Sequence, residues 1–418
     1  MITSRKYRLY PTKEQEMFLD KHFNAVRLIY NLALETKNLS YYDYGVKLSK
    51  NDLQFQLTDL KKEVVWLKEV NSQSLQGALI NLDDAFNKYF RELKDGSIAK
   101  AKESYISSRT KRGLEINWKK YHNIGKPKFK SKKDNNYSFS VPQNFTLVDG
   151  KLFIPKLKTG IKTIVSQECI CKHLNLTISK TSTGKYFVSV CIENNIEVPK
   201  LKPIKEETAV GIDLGIKTFA VFSDGSQVEN PKYLKKSIIR LKIIQKRLSK
   251  KQKNGKNKNK QRKVVAKLHE KITNQRKDFL HKTSTAITKQ YDTIVFEDLA
   301  VKNMVKNHKL AQAISDVSWS MFTTFVKYKC AKLGKNYIEI DRYYPSSKIH
   351  NICGYVNKEL KLKDREWFCP NCKLMVNRDL NAAINIKLSG LEQSIEPSEL
   401  PTIVGALKKE VTMSLGSW

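Results

Sequence analysis

His350 and Cys353 stand two residues apart, Cys369 and Cys372 likewise, and fifteen residues separate the two pairs. Close ligand pairs at this separation are what a zinc ribbon requires. Each pair sits on a tight knuckle, Cys353-Gly354 in the first and Cys369-Pro370-Asn371-Cys372 in the second. Two knuckles close one tetrahedral site, and thiolates with imidazole suit Zn²⁺ better than Mg²⁺. Four unrelated loop residues are the alternative, which the sparseness of cysteine disfavours: the chain has seven in 418 residues. So sparse and odd a count also excludes a disulfide framework and points to a reducing compartment. Cys169, Cys171 and His173 share one strand face and mimic a metal site, but a buried strand face accounts for them.

Around this insertion the hydrophobic period changes twice. Thr12-Lys13-Glu14-Gln15 after Pro11 is a capping box, and Leu19, Phe23, Val26, Tyr30 and Ala33 follow at helical spacing. Leu75, Leu79, Leu82, Phe86 and Phe90 mark a second helix over about 72–93. From about 120 the pattern is that of strands. Lys126, Lys128, Lys130 and Lys132 fall at period two, so on an extended chain they share a face. Leu174, Leu176 and Ile178, then Tyr186, Val188, Val190 and Ile192, flank Thr183-Gly184 as a β-hairpin of a small barrel or sandwich, to which residues 1–10 add a strand. After a linker around Pro199 and Pro203 come strands at 209–213 and 218–222, a basic helical hairpin at 231–290 and a strand at 293–296. A helix at 316–332, a strand at 337–340 and a last helix from about Arg378 complete the pattern. The hairpin stripes are Leu234, Ile238, Leu241, Leu248 and Val264, Leu268, Ile272, Phe279, with a polar break at 253–260. The tail after Gly390 is weakly patterned and is expected to be mobile.

Charge narrows the function. The chain carries 77 Lys and Arg against 41 acids, net +36, and the 231–290 hairpin alone carries 21 against two, net +19. A small-metabolite enzyme gains nothing from such self-repulsion, whereas a polyanion partner does. Hydrophobic residues make up 40% of the chain, enough for real cores, so it is not a disordered basic tail. No apolar run approaches the ~20 residues of a membrane span, and MITSRKYRLYP lacks an apolar signal stretch. Basic residues spread along the whole chain favour nucleic acid over a membrane surface.

In this basic background three acids stand at the ends of core elements: Asp213 after an apolar strand, Glu297 after Ile294-Val295-Phe296, and Asp379 at a helix start. Singly, an Asp before Leu-Gly reads as a turn residue and a helix-start acid as a cap. Together they suit a site for two divalent cations, which take hard oxygen ligands and assist phosphodiester hydrolysis.

Gly211-Ile212-Asp213-Leu214-Gly215-Ile216-Lys217, Phe296-Glu297-Asp298-Leu299, the two knuckles and Arg378-Asp379-Leu380-Asn381-Ala382-Ala383 resemble the TnpB (OrfB) proteins of bacterial insertion sequences. The resemblance covers most of the chain. Arg8-Leu9-Tyr10-Pro11 with Gln15, and Arg27 with Tyr30-Asn31, are similar to the family's N-terminal helical region. Lys126-Pro127-Lys128-Phe129-Lys130-Ser131-Lys132 resembles its basic segment, and Arg276 through Lys282 a motif of the second hairpin helix. Pro345-Ser346-Ser347-Lys348 and Asp364-Arg365-Glu366-Trp367 resemble the lead-ins to the two knuckles. His350 departs from the family, where Cys is usual, and Lys373 replaces a common Gly.

The resemblance implies a mixed multidomain α/β and β protein: an RNase H-like (RuvC) nuclease with a zinc ribbon, an N-terminal helical recognition lobe and a β-barrel wedge domain. The implied boundaries are 1–10 and 119–198 for the wedge and 11–118 for the recognition lobe. Residues 199–345 form the nuclease domain, 346–376 the ribbon, 377–390 the last nuclease helix and 391–418 the tail. It implies an RNA-guided DNA endonuclease, encoded by a transposon and related to type V CRISPR effectors, that cuts beside a short transposon-adjacent motif. Asp213, Glu297 and Asp379 match its catalytic, magnesium-binding acids. His350, Cys353, Cys369 and Cys372 match its structural zinc ligands. Arg8, Arg27, Gln76, Lys126, Lys128, Lys130, Lys132, Arg276, Lys282 and Arg378 are the candidate nucleic-acid contacts, with a solvated charged face as the bland alternative. The implied cofactors are two Mg²⁺, one Zn²⁺ and a guide RNA from the transposon end. The implied partners are that RNA and target double-stranded DNA, with room for a separately encoded transposase. A bacterial or archaeal, nucleoid-associated cytoplasmic location follows. The rival readings are a nuclease-inactive RNA-guided regulator and a guide-independent transposase.

Overall fold

The computed structural model describes residues 2–132, 137–167, 171–194, 197, 199–361 and 363–394. Cys169 lies outside them, as does the tail after Ser394, up to which the last helix runs. Two compact units divide the chain, Met1–Ile196 and Glu197–Trp418.

In the first unit, strand β1 (Ile2–Tyr10) leads into helices α1 (Lys13–Tyr44), α2 (Lys50–Glu63), α3 (Ser72–Lys94), α4 (Ser97–Thr110) and α5 (Trp118–His122). The capping box forms: the Thr12 hydroxyl accepts from the Gln15 N–H and the Gln15 side chain accepts from the Thr12 N–H. The α1 stripe is buried throughout, as are Leu75, Leu79 and Leu82 of α3. Beyond Leu82 the α3 stripe comes out: Phe86 is partly buried and Phe90 is 57% exposed. Helical spacing shows which residues share a face, not how far the packing partner reaches along it.

His22 fastens α1 to the start of α3. Its ring packs between Phe18 and Phe139, its Nδ1 donates to the Phe18 carbonyl at 3.0 Å, and its Nε2 accepts from the Asn71 N–H at 3.1 Å. The bond accepted at Nε2 needs the neutral ring, and burial, with the Lys21 charge, pulls its pKa down to about 4 against the pull of the Phe18 carbonyl. The unfolded ring titrates near 6.5. The contribution is thus complete above pH 6.5 and is lost as pH falls to 4, about 3 kcal/mol in all. The urea midpoint of the wild-type chain should fall further over that interval than that of His22→Gln; parallel falls would refute it.

Six more strands complete the unit: β2 (Tyr137–Val141), β3 (Thr146–Val148), β4 (Lys151–Phe153), β5 (Ile161–Ile164), β6 (Lys172–Lys180) and β7 (Tyr186–Glu193). The sheet order is β2-β6-β7-β1-β5-β4-β3, with every pair antiparallel. The expected hairpin is β6–β7, turned at Gly184 with φ +86°. The weakly alternating N-terminal strand sits in the middle, paired to β7 on one side and β5 on the other. The expected barrel is corrected. Closure needs the outer strands to pair, and among the described residues β2 and β3 do not. Cys171 packs on this core and His173 stacks on Phe145, in keeping with a structural role.

The second unit is built on a five-stranded sheet. Strands β8 (Ala209–Leu214), β9 (Thr218–Phe222) and β10 (Gln227–Glu229) form an antiparallel meander. Helices α6 (Tyr233–Ser249) and α7 (Lys256–Gln290) make the basic hairpin. Strand β11 (Thr293–Glu297) follows, then α8 (Val301–Met304), α9 (Ala311–Val317), α10 (Trp319–Leu333) and β12 (Asn336–Ile340). The order is β10-β9-β8-β11-β12, and the last two pairs are parallel. The expected helix at 316–332 is two helices, broken at Ser318 with φ +59°. The hairpin packs on Leu241, Ile244, Leu268 and Ile272 with Leu234 beside them, so the expected stripes are largely buried; only at Val264 does the neighbouring Val265 pack instead, Val264 itself being exposed, while Leu280 and Ile287 of α7 are buried against the sheet core. The ribbon contains β13 (Glu366–Phe368) and β14 (Met375–Asn377), and α11 (Arg378–Ser394) starts at the next residue. No helix among the described residues is long and apolar enough to cross a membrane.

Candidate active site and metal centre

Parallel pairing brings the first two acids together. Ile212 of β8 registers with Phe296 of β11, so the next residues, Asp213 and Glu297, end adjacent strands on the same side. The third acid arrives on α11, which lies against β8 and β11 so closely that only glycine fits beneath it. A Cβ at Gly211 would meet the Ala383 carbonyl oxygen at 2.1 Å and the Lys387 nitrogen at 2.4 Å, and a Cβ at Gly390 would meet Val295 at 2.4 Å. Gly211→Val should therefore cost at least about 3 kcal/mol through overpacking, seen as a drop in Tm; an unchanged Tm would refute this packing.

Asp379 is set by its neighbours. Asn377, the last residue of β14, caps α11: its Oδ1 accepts from the Asp379 and Leu380 N–H groups at 3.1 Å. Arg365, one residue before β13, donates from Nη1 to both Asp379 oxygens at 2.9 Å. Its carbonyl accepts from the Arg378 N–H at 2.8 Å. The acids act on one another. Burial and then the Asp379 charge push Asp213 up to about 6, against the pull of Arg378 and Arg365. Burial and the charges of Asp213 and Asp298 push Glu297 up to about 7. Carboxylates that hinder each other's ionisation are the kind of donor set a hard cation takes, which would relieve the repulsion, although among the described residues only the ribbon donors already stand within 4.8 Å of one another as a group. A cavity of about 820 Å³ opens beside Asp213 and Asp379, and Lys217, Lys232, Lys235 and Lys309 line it too. These lysines, and the Arg365 clamp, were not singled out as site residues from the sequence; only the fold carries them to the acids.

The four ribbon ligands converge as spaced. One donor atom from each of His350, Cys353, Cys369 and Cys372 lies within 4.8 Å of the others. His350 Nδ1 is 3.2 Å from the sulfurs of Cys353 and Cys372, and Cys353 is 3.5 Å from Cys369. A tetrahedron of ~2.3 Å metal–sulfur bonds has edges only slightly longer, about 3.8 Å. Burial opposes the Cys353 thiolate, but hydrogen bonds from the Tyr355 N–H, His350 and Cys369 draw it down to about 6. Burial and the adjacent sulfurs hold the Cys372 thiol up at about 11. One thiolate thus forms readily and a second needs a cation, as a metal centre demands. Trp367 covers His350 edge-on at 5.7 Å. Lys373 takes φ +58°, the same left-handed turn that Gly354 (φ +71°) makes after the first knuckle, so the unusual lysine keeps the knuckle's shape.

The candidate nucleic-acid residues divide. Lys128, Lys132 and Gln76 are exposed. The 126–132 segment is not a strand but is strapped to α1. The Asn31 side chain donates to the Lys130 carbonyl and accepts from its N–H, at 3.0 and 2.8 Å. Lys130 lies 3.9 Å over the Tyr30 ring, and Lys126 donates to the Tyr42 hydroxyl at 2.8 Å. Arg8 lies over Phe187 at 5.0 Å, and Arg27 is half-buried beside Asn24. Lys282 is exposed and paired to Asp278 at 2.8 Å. Arg378 lines the acid cavity. Arg276 needs correcting. It is largely buried in a 2.9 Å ion pair with Asp316, which also accepts from the Leu234 N–H, so it joins helices rather than facing a ligand.

A ribbon of four converging donors thus runs directly into the helix that carries Asp379, inside an α/β unit. The "Probable transposase" family of OrfB type matches residues 189–308, and "Cas12f1-like, TNB domain" matches 319–386. A protein of Streptomyces pristinaespiralis named "Putative RNA-guided DNA endonuclease" is 37% identical, covering 93% of this chain and 89% of its own. "Putative RNA-guided DNA endonuclease InsQ" of Escherichia coli is 28% identical, covering 92% and 91%. This chain belongs to the TnpB (OrfB) family. A solved Cas12f1–sgRNA–target DNA complex is 14% identical over 93% of this chain and 98% of that one at TM-score 0.46, a likeness too slight to argue from. A "Helix-turn-helix domain" also matches residues 1–45. Those residues instead hold strand β1 and one continuous helix of 32 residues, so no helix pair is present there.

Proposed function

We propose that this protein is an RNA-guided, metal-dependent DNA endonuclease that cuts beside a transposon-adjacent motif, with its site in a RuvC-like domain. The observation that carries the reading is the convergence of Asp213, Glu297 and Asp379, from three distant segments, at one end of the β8–β11 pair. An antiparallel meander extended by two parallel strands and crossed by a helix agrees with an RNase H-like core. The family's membership agrees with guidance by RNA and with DNA as the substrate.

Asp213, Glu297 and Asp379 hold the magnesium ions. Bound there, Mg²⁺ supplies Lewis-acid stabilisation of charge on the attacking and leaving oxygens of a phosphodiester. The chain's own groups do the rest. Arg365 neutralises Asp379 and fixes its rotamer, Asn377 aims it, and Arg378 favours the charged form of Asp213. Lys217, Lys232 and Lys309 give the cavity the positive potential that draws in a strand's phosphates. His350, Cys353, Cys369 and Cys372 hold a structural zinc, closed by four protein donors and so without an open position for chemistry. Residues 1–10 and 119–198 serve as the wedge domain, 11–118 as the recognition lobe, and 199–345 with 377–390 as the nuclease, interrupted by the ribbon at 346–376.

The test is to express the chain with its native flanking DNA and sequence the RNA that copurifies. A single species ending in a segment read from beyond the transposon end, whose complement in a plasmid is then cut with Mg²⁺, is the expected result. Heterogeneous RNA, or none, would favour a guide-independent transposase, and a defined RNA without cutting a nuclease-inactive regulator.

A further inference from the structure

Tyr343 is the most exposed large hydrophobic residue among those described, at 86%. Its surroundings are not those of a loose surface ring. Ile340, the last residue of β12, is the register partner of Glu297. The loop that follows is tied down on both sides of the tyrosine. Arg342 donates to the Asp298 carbonyl at 3.4 Å and pairs with its carboxylate. Asp341 accepts from the Tyr343 N–H at 2.7 Å, and Tyr344 packs on the cluster of Val295, Ile340 and Ile386. A fixed backbone thus holds one aromatic ring in water, anchored to the residue that follows Glu297. Aromatic rings normally gain by burial, and nothing in this loop buries this one.

We propose that Tyr343 is a stacking platform for one unpaired base of the strand that enters the acid cluster. Its partner class is therefore single-stranded nucleic acid; that the strand is DNA rests on the nuclease reading above. Two considerations single out stacking. A guide-directed enzyme must hold whatever sequence pairing delivers, so a contact that reads base edges would restrict it, whereas every base has a π-face. The charge needed for the phosphates is already supplied elsewhere: the lysines of the cavity border Asp213 and Asp379, and Tyr343 is anchored beside Glu297. Phosphate would thus be gripped from the β8–β9 turn, the start of α6 and the segment between α8 and α9, and the base from the loop after β12. Tyr343 is a positioning residue in this scheme, since it touches a base and not the reacting atoms.

The full chain with its copurified RNA, dialysed into magnesium-free buffer, is titrated with short mixed-sequence single-stranded DNAs carrying 2-aminopurine at successive positions. Wild type, Tyr343→Phe and Tyr343→Trp should quench one position or two adjacent ones. Tyr343→Leu, equally apolar but without a π-face, should lose that quench and bind roughly tenfold more weakly. With Mg²⁺ restored, Tyr343→Leu should raise KM for a single-stranded substrate with kcat little changed. Equal quenching in the leucine variant, no position-specific quench in wild type, or a fall in kcat at constant KM would overturn the assignment. Tyr343-dependent quenching without metal-dependent cutting would keep the platform and remove the nuclease reading. Cutting without that quenching would do the reverse.

Discussion

Asp213→Ala should reduce guided DNA cutting at least about a thousandfold, a loss of roughly 4 kcal/mol of transition-state stabilisation, while RNA still copurifies. Asp213 is the hinge of the acid cluster: its charge raises Glu297, and Asp379 raises Asp213 in turn. Asp213→Asn keeps the shape without the charge and should fail as well. Stability should move the other way. An acid held at about 6 in the fold and near 3.9 in the unfolded chain destabilises the metal-free protein as pH rises through that interval, by about 3 kcal/mol once past it. At pH 8 in magnesium-free buffer the variants should thus melt above wild type. Added Mg²⁺ should raise the Tm of wild type and leave theirs nearly unchanged. Cutting that survives Asp213→Ala, or a Tm for Asp213→Ala below wild type in magnesium-free buffer, would contradict the cluster.

Cys369→Ser should have the second large effect. Cys369 is fully buried, and among the described residues the ribbon's core is its cluster with Trp367 and Val376, on which Cys353, Leu360 and Cys372 pack. So small a core cannot stand alone, and in domains of this kind the metal-binding free energy, about 10–16 kcal/mol, is the folding free energy. The purified wild type should hold one equivalent of zinc, measured by mass spectrometry; Cys369→Ser should hold none and lose the near-UV signal of Trp367. Cutting should stop although all three acids remain, because Arg365 and Asn377 would no longer place Asp379. RNA copurification should persist. His350→Cys, the family's usual residue, should keep the metal. A wild-type chain without zinc, or normal cutting by Cys369→Ser, would refute this coupling.

The strands that carry Asp213 and Glu297, and the ribbon, were legible because each rests on local chemistry: an apolar run ended by an acid, and two ligand pairs on knuckles. The capping box of α1 was legible for the same reason. What failed depended on partners distant in sequence. Val264 and Phe90 stand at the ends of stripes that are otherwise largely buried, where the packing partner does not cover them. The lysines at 126–132 alternate like a strand, yet Asn31 claims the backbone of Lys130 from α1. Arg276 looks like a free cation until Asp316, forty residues on, is folded against it. Of the lysines around the acid cavity only Lys217 stands in a motif, beside Asp213; Lys232, Lys235 and Lys309 carry no mark in the sequence and are ordinary members of a basic chain until the fold gathers them.

The junction at Asn377 bears on how such proteins can be altered. No residue separates the end of β14 from the start of α11, and the cap of one is the end of the other. One residue added there, if carried into the helix, turns Asp379 by about 100° around the α11 axis, away from Asp213. The ribbon is therefore not an exchangeable cassette: a graft from a relative must keep the count between Trp367 and Asp379 unchanged. Length can vary instead in the Lys250–Gly255 turn that joins α6 to α7, which carries none of the three acids.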